Sequence, residues 1–322
     1  MEGDIQSSND NKNNKTFKIM TYNVRCCDDV LRNNIDGTVK TRSKYVINNI
    51  LKYMPDSIGF QEVTFSTKNN SLIWFDILKE ELKNNYTAIG TGRNEDLKGE
   101  GSPIFVNKNT LDIISSGTKW LSKDPEKPGS KFENSENNPT DGISRIFTYV
   151  IVRNKNYNYE YMHINTHLDY RFSSNRVNQI KVIINFVQNY LNKYPILLTG
   201  DFNCKNKNED DVIYFLEKNG FCDAVNDIEN CINHWTFPSI GYIKEVYDKC
   251  KKRGTHFNGK SIKEQIFCDE KCDEERGSVI DYCFKVNNGK INFTKYMVIT
   301  DYEACGGISS DHYPIYLEGV FI

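Results

Sequence analysis

The sequence predicts an α/β fold, and three observations carry that expectation. Apolar runs of strand length recur along the chain, amphipathic stretches of helical period lie between them, and the two kinds alternate. The strand-like runs also share a habit: they end in, or embed, an acid, an amide or a histidine.

Phe17 to Met20 is the first run, followed by Thr21-Tyr22-Asn23. Lys40 to Tyr53 has Tyr45, Val46, Ile50 and Leu51 at helical spacing, with Lys and Asn between them and Pro55 beyond the end. Asp56 to Val63 reads as a strand that delivers Glu62, and Leu72 to Leu82 as a second amphipathic helix. Tyr161 to Asp169 is a strand ending on His167, and Arg176 to Leu191 a helix. Ile196 to Leu198 then reads as a buried strand running into Asp201 and Asn203. A strand period of two puts that acid and amide on one side. A carboxylate at the mouth of a buried strand costs free energy unless something pairs or uses it, which suits a catalytic base. Val279 to Phe284 embeds Asp281, and Ser310 to Ile315 opens the last strand with Asp311 and His312. Ser122–Asp141 and Lys249–Ser278 lack a period and read as long loops.

Neither an internal repeat nor a Gly/Ser/Pro linker divides the 322 residues, so 16–322 is expected to be a single catalytic domain. Residues 1–15, rich in Asn, Asp and Ser, are expected to be a disordered tail. A formal charge of −2 excludes a globally basic nucleic-acid binder but leaves room for a local basic rim. Lys249, Lys251, Lys252 and Arg253 form one such cluster, with Asp269 to Glu275 close enough to neutralise it. No segment resembles a signal peptide or a membrane span, so the ten cysteines are expected as reduced thiols in the cytoplasm or nucleus. Cys231, Cys250, Cys268 and Cys272 have no recognised zinc-ligand spacing.

Taken in order, these strand ends resemble the endonuclease/exonuclease/phosphatase superfamily of DNase I-like phosphoesterases, from about Phe17 to the C-terminus. Gly99-Glu100-Gly101-Ser102-Pro103-Ile104-Phe105 resembles a motif of one largely bacterial branch. The resemblance implies a four-layered sandwich: two mainly antiparallel β-sheets flanked by helices, classed α/β (α+β). It also implies a phosphoester hydrolase dependent on Mg²⁺ (or Mn²⁺). Glu62 would be the principal metal ligand, with Asn23 close by and Asp311 on the opposite side. Asp201 would orient or deprotonate the attacking water, and Asn203 would hold that water or a phosphate oxygen. His312 would contact phosphate, oriented by Asp281; His167 would donate to the phosphoryl group or leaving oxygen, oriented by Glu100. Asn165 and Asp169 would either support His167 or touch substrate. Arg145 would pair a site acid or contact phosphate. Trp235-Thr236-Phe237 and Thr255-His256-Phe257 both fit the family's aromatic motif between the Asp201 and Asp281 strands.

Each residue alone has a plainer reading, Asn23 as a turn cap and Glu62 as a surface acid among them, and the joint pattern overrides these. His163 is read as structural. The favoured substrate is nucleic acid or a nucleotide-like diester, handled by a monomer without a membrane anchor. The alternatives are a phosphatase of inositol phosphates or other phosphorylated small molecules, a phospholipid diesterase, or a non-catalytic scaffold. Every core position is present, which disfavours the scaffold.

Overall fold

A computed structural model describes residues 15–26, 38–66, 73–133, 142–204, 211–229, 235–238, 256–257, 260–261, 277–286, 289–300 and 309–322. Twelve strands among them build two six-stranded sheets. They are β1 (Lys15–Asn23), β2 (Ser57–Gln61), β3 (Tyr86–Ile89), β4 (Ile104–Asn107), β5 (Leu111–Trp120), β6 (Ile146–Asn154), β7 (Glu160–His167), β8 (Ile196–Asp201), β9 (Phe221–Asp223), β10 (Asp281–Val286), β11 (Ile291–Val298) and β12 (Ile315–Phe321). The first sheet runs β11-β12-β1-β2-β4-β3 and the second β9-β10-β8-β7-β6-β5. Each is antiparallel except for one central parallel pair, β1 with β2 and β7 with β8.

Three apolar clusters define the layers. Val46 and Ile50 of α1 (Val39–Tyr53) and Trp74 and Leu78 of α2 (Trp74–Leu82) pack on Met20, Tyr22, Ile58 and Phe60 of the first sheet. Ile180 and Ile183 of α3 (Ser173–Gln188) and Val212 and Leu216 of α4 (Asp211–Lys218) pack on Met162, Ile164, Ile196 and Leu198 of the second. Phe17, Ile19, Val150, Tyr161, Leu197 and Leu317 fill the space between the sheets. The order is helix, sheet, sheet, helix, as expected. No helix among the described residues is long and apolar enough to cross a membrane.

Local chemistry accounts for the helix limits. The Thr38 side chain accepts from the Thr41 amide at the start of α1, and Met54 closes the helix in the left-handed region at φ 44°, just before Pro55. Leu51, expected on the apolar stripe, is 43 % exposed, whereas Arg42 is fully buried. Its guanidinium donates to the Val24, Arg25 and Ser309 carbonyls and lies 5.2 Å from the Trp74 ring, which pins the loop after β1. Helix α4, eight residues long, was too short to stand out by period. Lys15, expected in the tail, opens β1; residues 1–14, the cluster from Lys249 to Arg253 and the four cysteines considered for zinc lie outside the described residues.

Period-two alternation places one row of each central strand between the sheets. These rows are Phe17-Ile19-Thr21-Asn23, Ser57-Gly59-Gln61, Tyr161-His163-Asn165-His167 and Leu197-Thr199-Asp201. The rows of β1 and β8 pass from hydrocarbon through the Thr21 and Thr199 hydroxyls to Asn23 and Asp201, and those of β2 and β7 end on Gln61 and His167. In the middle, His163 Nδ1 meets Ser57 Oγ at 2.8 Å and Nε2 meets Thr199 Oγ1 at 2.8 Å, so one imidazole bridges the sheets.

Burial pushes the His163 pKa down to about 3, against about 6.5 for the free side chain. Unfolded chains take up a proton below pH 6.5 that the native bridge refuses, so this contribution is present above that pH and lost as pH falls toward 3. At about 1.36 kcal/mol per pH unit, roughly 3 kcal/mol disappears by pH 4. Urea melts at pH 7 and pH 4 should therefore differ more for the wild type than for His163→Gln; equal differences would reject the assignment.

Candidate active site

The polar ends of the four rows meet at one edge of the sandwich. His167, Asp201 and Asp281 stand in register on β7, β8 and β10. Asn23, at the end of β1 in the other sheet, donates through Nδ2 to Glu62 Oε1 at 3.0 Å and to Asp201 Oδ2 at 3.0 Å. The Cys26 amide donates to Glu62 Oε2 at 2.9 Å. Asp201 Oδ1 accepts from the Asn203 amide at 2.9 Å, and Asn203 Nδ2 donates to the Leu168 carbonyl at 3.0 Å. His167 Nε2 and His312 Nε2 approach Asp201 Oδ2 from two sides, at 3.5 and 3.8 Å. His312 Nδ1 bonds Asp281 Oδ2 at 2.9 Å.

The backbone is bent to make this possible. Arg25, Glu62 and Asn203 adopt φ of 58°, 60° and 51°, a conformation that costs non-glycine residues of order 1 kcal/mol each. Val63 and Thr64 pair with Gly101 and Glu100 in a short ladder, which ties the Glu62 turn to the Gly99–Phe105 motif. The Thr236 hydroxyl accepts from the amides of Ile280 and Asp281, each at 3.1 Å, and the Phe237 ring lies 4.8 Å from the His312 ring. Trp235-Thr236-Phe237 is thus the motif beside the site; the side chains of 255–257 lie outside the described residues.

Charges here are unequal by construction. Burial, with repulsion from Asp281, raises Asp201 to about 7 despite His312 and the Asn203 amide. Burial opposes a charged His312, but Asp281, Asp201 and Asp311 outweigh it and lift the pKa to about 10. His167 moves the other way, well below the usual range, through burial and the positive charges of Arg145, Arg93 and His312. Burial would raise Glu62, yet His312, the Cys26 amide, Asn23 and Arg145 hold it below its ordinary value.

Among the described residues, two groups of side chains bring possible ligand atoms within 4.8 Å of one another: Glu62, His167 and Asp201, and Asp201, Asp281 and His312. In the second group His312 is committed to Asp281 and holds its proton, so it does not suit a cation. In the first, the carboxylates of Glu62 and Asp201 converge on the Asn23 amide. Hard oxygens of this kind fit Mg²⁺ or Mn²⁺.

Several expected partners stand elsewhere. Asp311 pairs with Arg25, and its carboxylate lies in neither convergent group. Glu100 is gripped by Arg93 through two bonds of 2.9 and 3.0 Å, and Arg145 Nη1 meets His167 Nδ1 at 3.1 Å where Glu100 was expected. Asn165 is fully buried between the sheets, bonded to Gln61 and the Phe60 and Ser102 carbonyls, and offers no surface to substrate. Asp169 is also fully buried; its carboxylate accepts from the Arg171 amide and the Asn175 side chain and anchors the start of α3. Arg25 and Arg93 escaped the sequence reading because a lone arginine carries no positional signal.

No protein-family model matches the sequence, and no curated protein does. Solved structures do. An endonuclease/exonuclease/phosphatase from Bacteroides vulgatus superposes with a TM-score of 0.72 at 20% identity, over 96% of this chain and 100% of its own. A mannosyl-6-phosphatase from Bacteroides thetaiotaomicron gives 0.67 at 21%, over 95% and 100%. D. rerio TDP2 in complex with a single-strand DNA product gives 0.60 at 15%, over 94% and 98%. The chain therefore has the DNase I-like fold of the endonuclease/exonuclease/phosphatase proteins.

Proposed function

We propose that the chain is a divalent-metal-dependent phosphoester hydrolase, acting as a monomeric phosphodiesterase or nuclease with residues 16–322 as its catalytic domain. One observation carries the reading: Asp201 Oδ2 is the common target of Asn23, His167 and His312 at the mouth of the sandwich. A carboxyl group raised to about 7 takes a proton readily at neutral pH. Asp201 removes the proton of the attacking water, whose oxygen bonds to phosphorus as the ester oxygen departs. His312, kept charged by Asp281, donates to a non-bridging oxygen, and His167 donates from the other side. Asn203 holds the loop after β8, and Asn23 orients Glu62 toward Asp201. Glu62 would be the principal ligand of Mg²⁺ or Mn²⁺, oriented by the Asn23 amide beside Asp201, and the ion would supply charge neutralisation for the phosphoryl group.

A second reading, a phosphatase of sugar or inositol phosphates, draws on the likeness to the mannosyl-6-phosphatase. The test is hydrolysis of single-stranded RNA and DNA, an abasic-site duplex, mannose 6-phosphate, inositol phosphates and sphingomyelin, with EDTA and with Mg²⁺ or Mn²⁺ restored. Diester cleavage is expected, lost in EDTA and recovered on adding metal. Cleavage of monoesters alone would select the second reading, and activity indifferent to EDTA would reject both.

A further inference from the structure

We propose that Arg145 fixes His167 as the tautomer protonated on Nε2, which makes His167 a hydrogen-bond donor at the cleft and bars it from coordinating a metal. The consequence for catalysis rests on the hydrolase reading above; the tautomer does not.

A guanidinium has five N–H donors and no acceptor. Arg145 Nη1 lies 3.1 Å from His167 Nδ1, and both side chains are buried. Nδ1 must therefore accept, and the single proton of the neutral ring resides on Nε2. Nε2 lies 3.5 Å from Asp201 Oδ2.

The usual partner of a catalytic or metal-bound imidazole is an acceptor, which takes Nδ1–H and leaves the Nε2 lone pair facing the site. Glu100 would have imposed that state. Arg93 holds Glu100 by two bonds instead, and Arg145 stands between, 3.7 Å from the Glu100 carboxylate. The Arg93 carbonyl is itself held by Trp120 Nε1 at 2.7 Å and Ser144 Oγ at 3.0 Å, so the displacement is built into the loops around β5 and β6. Arg145 Nε has no partner among the described residues, and a cavity of about 10 Å³ between Arg93, Glu100, Ser102, Arg145 and His167 is the size of one water.

The contrast with His312 gives the arrangement its meaning. Asp281 accepts from His312, Arg145 donates to His167, and each ring places Nε2 within 3.8 Å of the same carboxylate oxygen. Opposite backing yields the same outcome, two donors for phosphoryl oxygens, and leaves Asp201 as the only proton acceptor among the three. Although His167 lies within ligand distance of Glu62 and Asp201, its lone pair faces Arg145. Only oxygen ligands remain, which selects Mg²⁺ or Mn²⁺ over Zn²⁺.

Long-range ¹H–¹⁵N correlation of the imidazoles in the ¹⁵N-labelled full chain reads this directly, without any turnover. Wild-type His167 is expected with an unprotonated Nδ1 and a protonated Nε2, unchanged on adding Zn²⁺. Arg145→Lys, which keeps a donor, should preserve that pattern. Arg145→Met should release it, and Zn²⁺ should then shift His167 Nε2 and bind at least tenfold more tightly. A protonated Nδ1 in the wild type, or a Zn²⁺-induced shift of wild-type His167 Nε2, would overturn the proposal, and both are read even if the methionine variant does not fold. Loss of the hydrolase reading would leave the tautomer result standing, and the reverse also holds.

Discussion

Asp201→Asn is expected to lower kcat by about 10³-fold or more while KM changes only a few-fold, because it removes the carboxylate proposed to take the proton of the attacking water. The substitution is close to isosteric, and it retains an oxygen for the Asn203 amide bond of 2.9 Å. It also relieves the repulsion from Asp281 that raises this carboxyl group. The thermal midpoint should therefore stay within a few degrees of the wild type. His312→Gln should cost about 10²-fold, in the range of losing one preorganised donor, and the double variant should fall little further than Asp201→Asn alone, since both groups serve one step. Steady-state kinetics on whichever substrate the panel identifies, beside a thermal melt, checks all three. An Asp201→Asn protein with half of wild-type kcat would mean that another group takes the proton.

The parts of this site legible in the sequence are those that strand geometry dictates locally. Asp201 follows a buried apolar run, His167 ends another, and both stand on inward-facing rows whose chemistry sharpens toward the C-terminal edge. The parts that were not legible depend on the second sheet or on distant charges. Asn165 flanks His167 in the sequence, which made it a candidate to support that side chain or touch substrate. The first sheet closes over it, and only the stacking of β2 on β7 reveals that. Arg25 meets Asp311 across 286 positions, and Arg145 rather than Glu100 reaches His167. A carboxylate and an imidazole in order along the chain suggest a pair; nothing in that order predicts a guanidinium between them. Trp235-Thr236-Phe237 and Thr255-His256-Phe257 both resemble the aromatic motif, and the Asp281 amide donates to the Thr236 hydroxyl of the first.

Gly59→Ala should be among the most damaging single-methyl additions in the chain, destabilising it by roughly 3–5 kcal/mol. Glycine is required at this point by space: a Cβ would sit 2.4 Å from Asn165 Oδ1 and 2.6 Å from Thr199 Oγ1. Neither neighbour can step back easily. Asn165 Oδ1 accepts from Gln61 Nε2 at 2.6 Å while Nδ2 donates to the Phe60 carbonyl at 2.7 Å, and Thr199 Oγ1 bonds His163 at 2.8 Å. The methyl must therefore either part the sheets, losing contact in the layer of Ile19, Tyr161 and Leu197, or strand buried amides without partners. Asn165→Ala alone should also destabilise, by about 2–3 kcal/mol, because Gln61 loses one of its three acceptors and the Phe60 carbonyl loses the Asn165 amide. The pair should not add: with Asn165 shortened, the Gly59 methyl has somewhere to go, and the double variant should be more stable than the sum of the two by 1 kcal/mol or more. Urea unfolding of the four proteins closes the cycle. Strict additivity would mean that the contact between β2 and β7 is looser than these distances require. Because Glu62 follows β2 and His167 ends β7, a loose seam there would also leave the proposed metal ligand and the proposed neutral donor without a common frame.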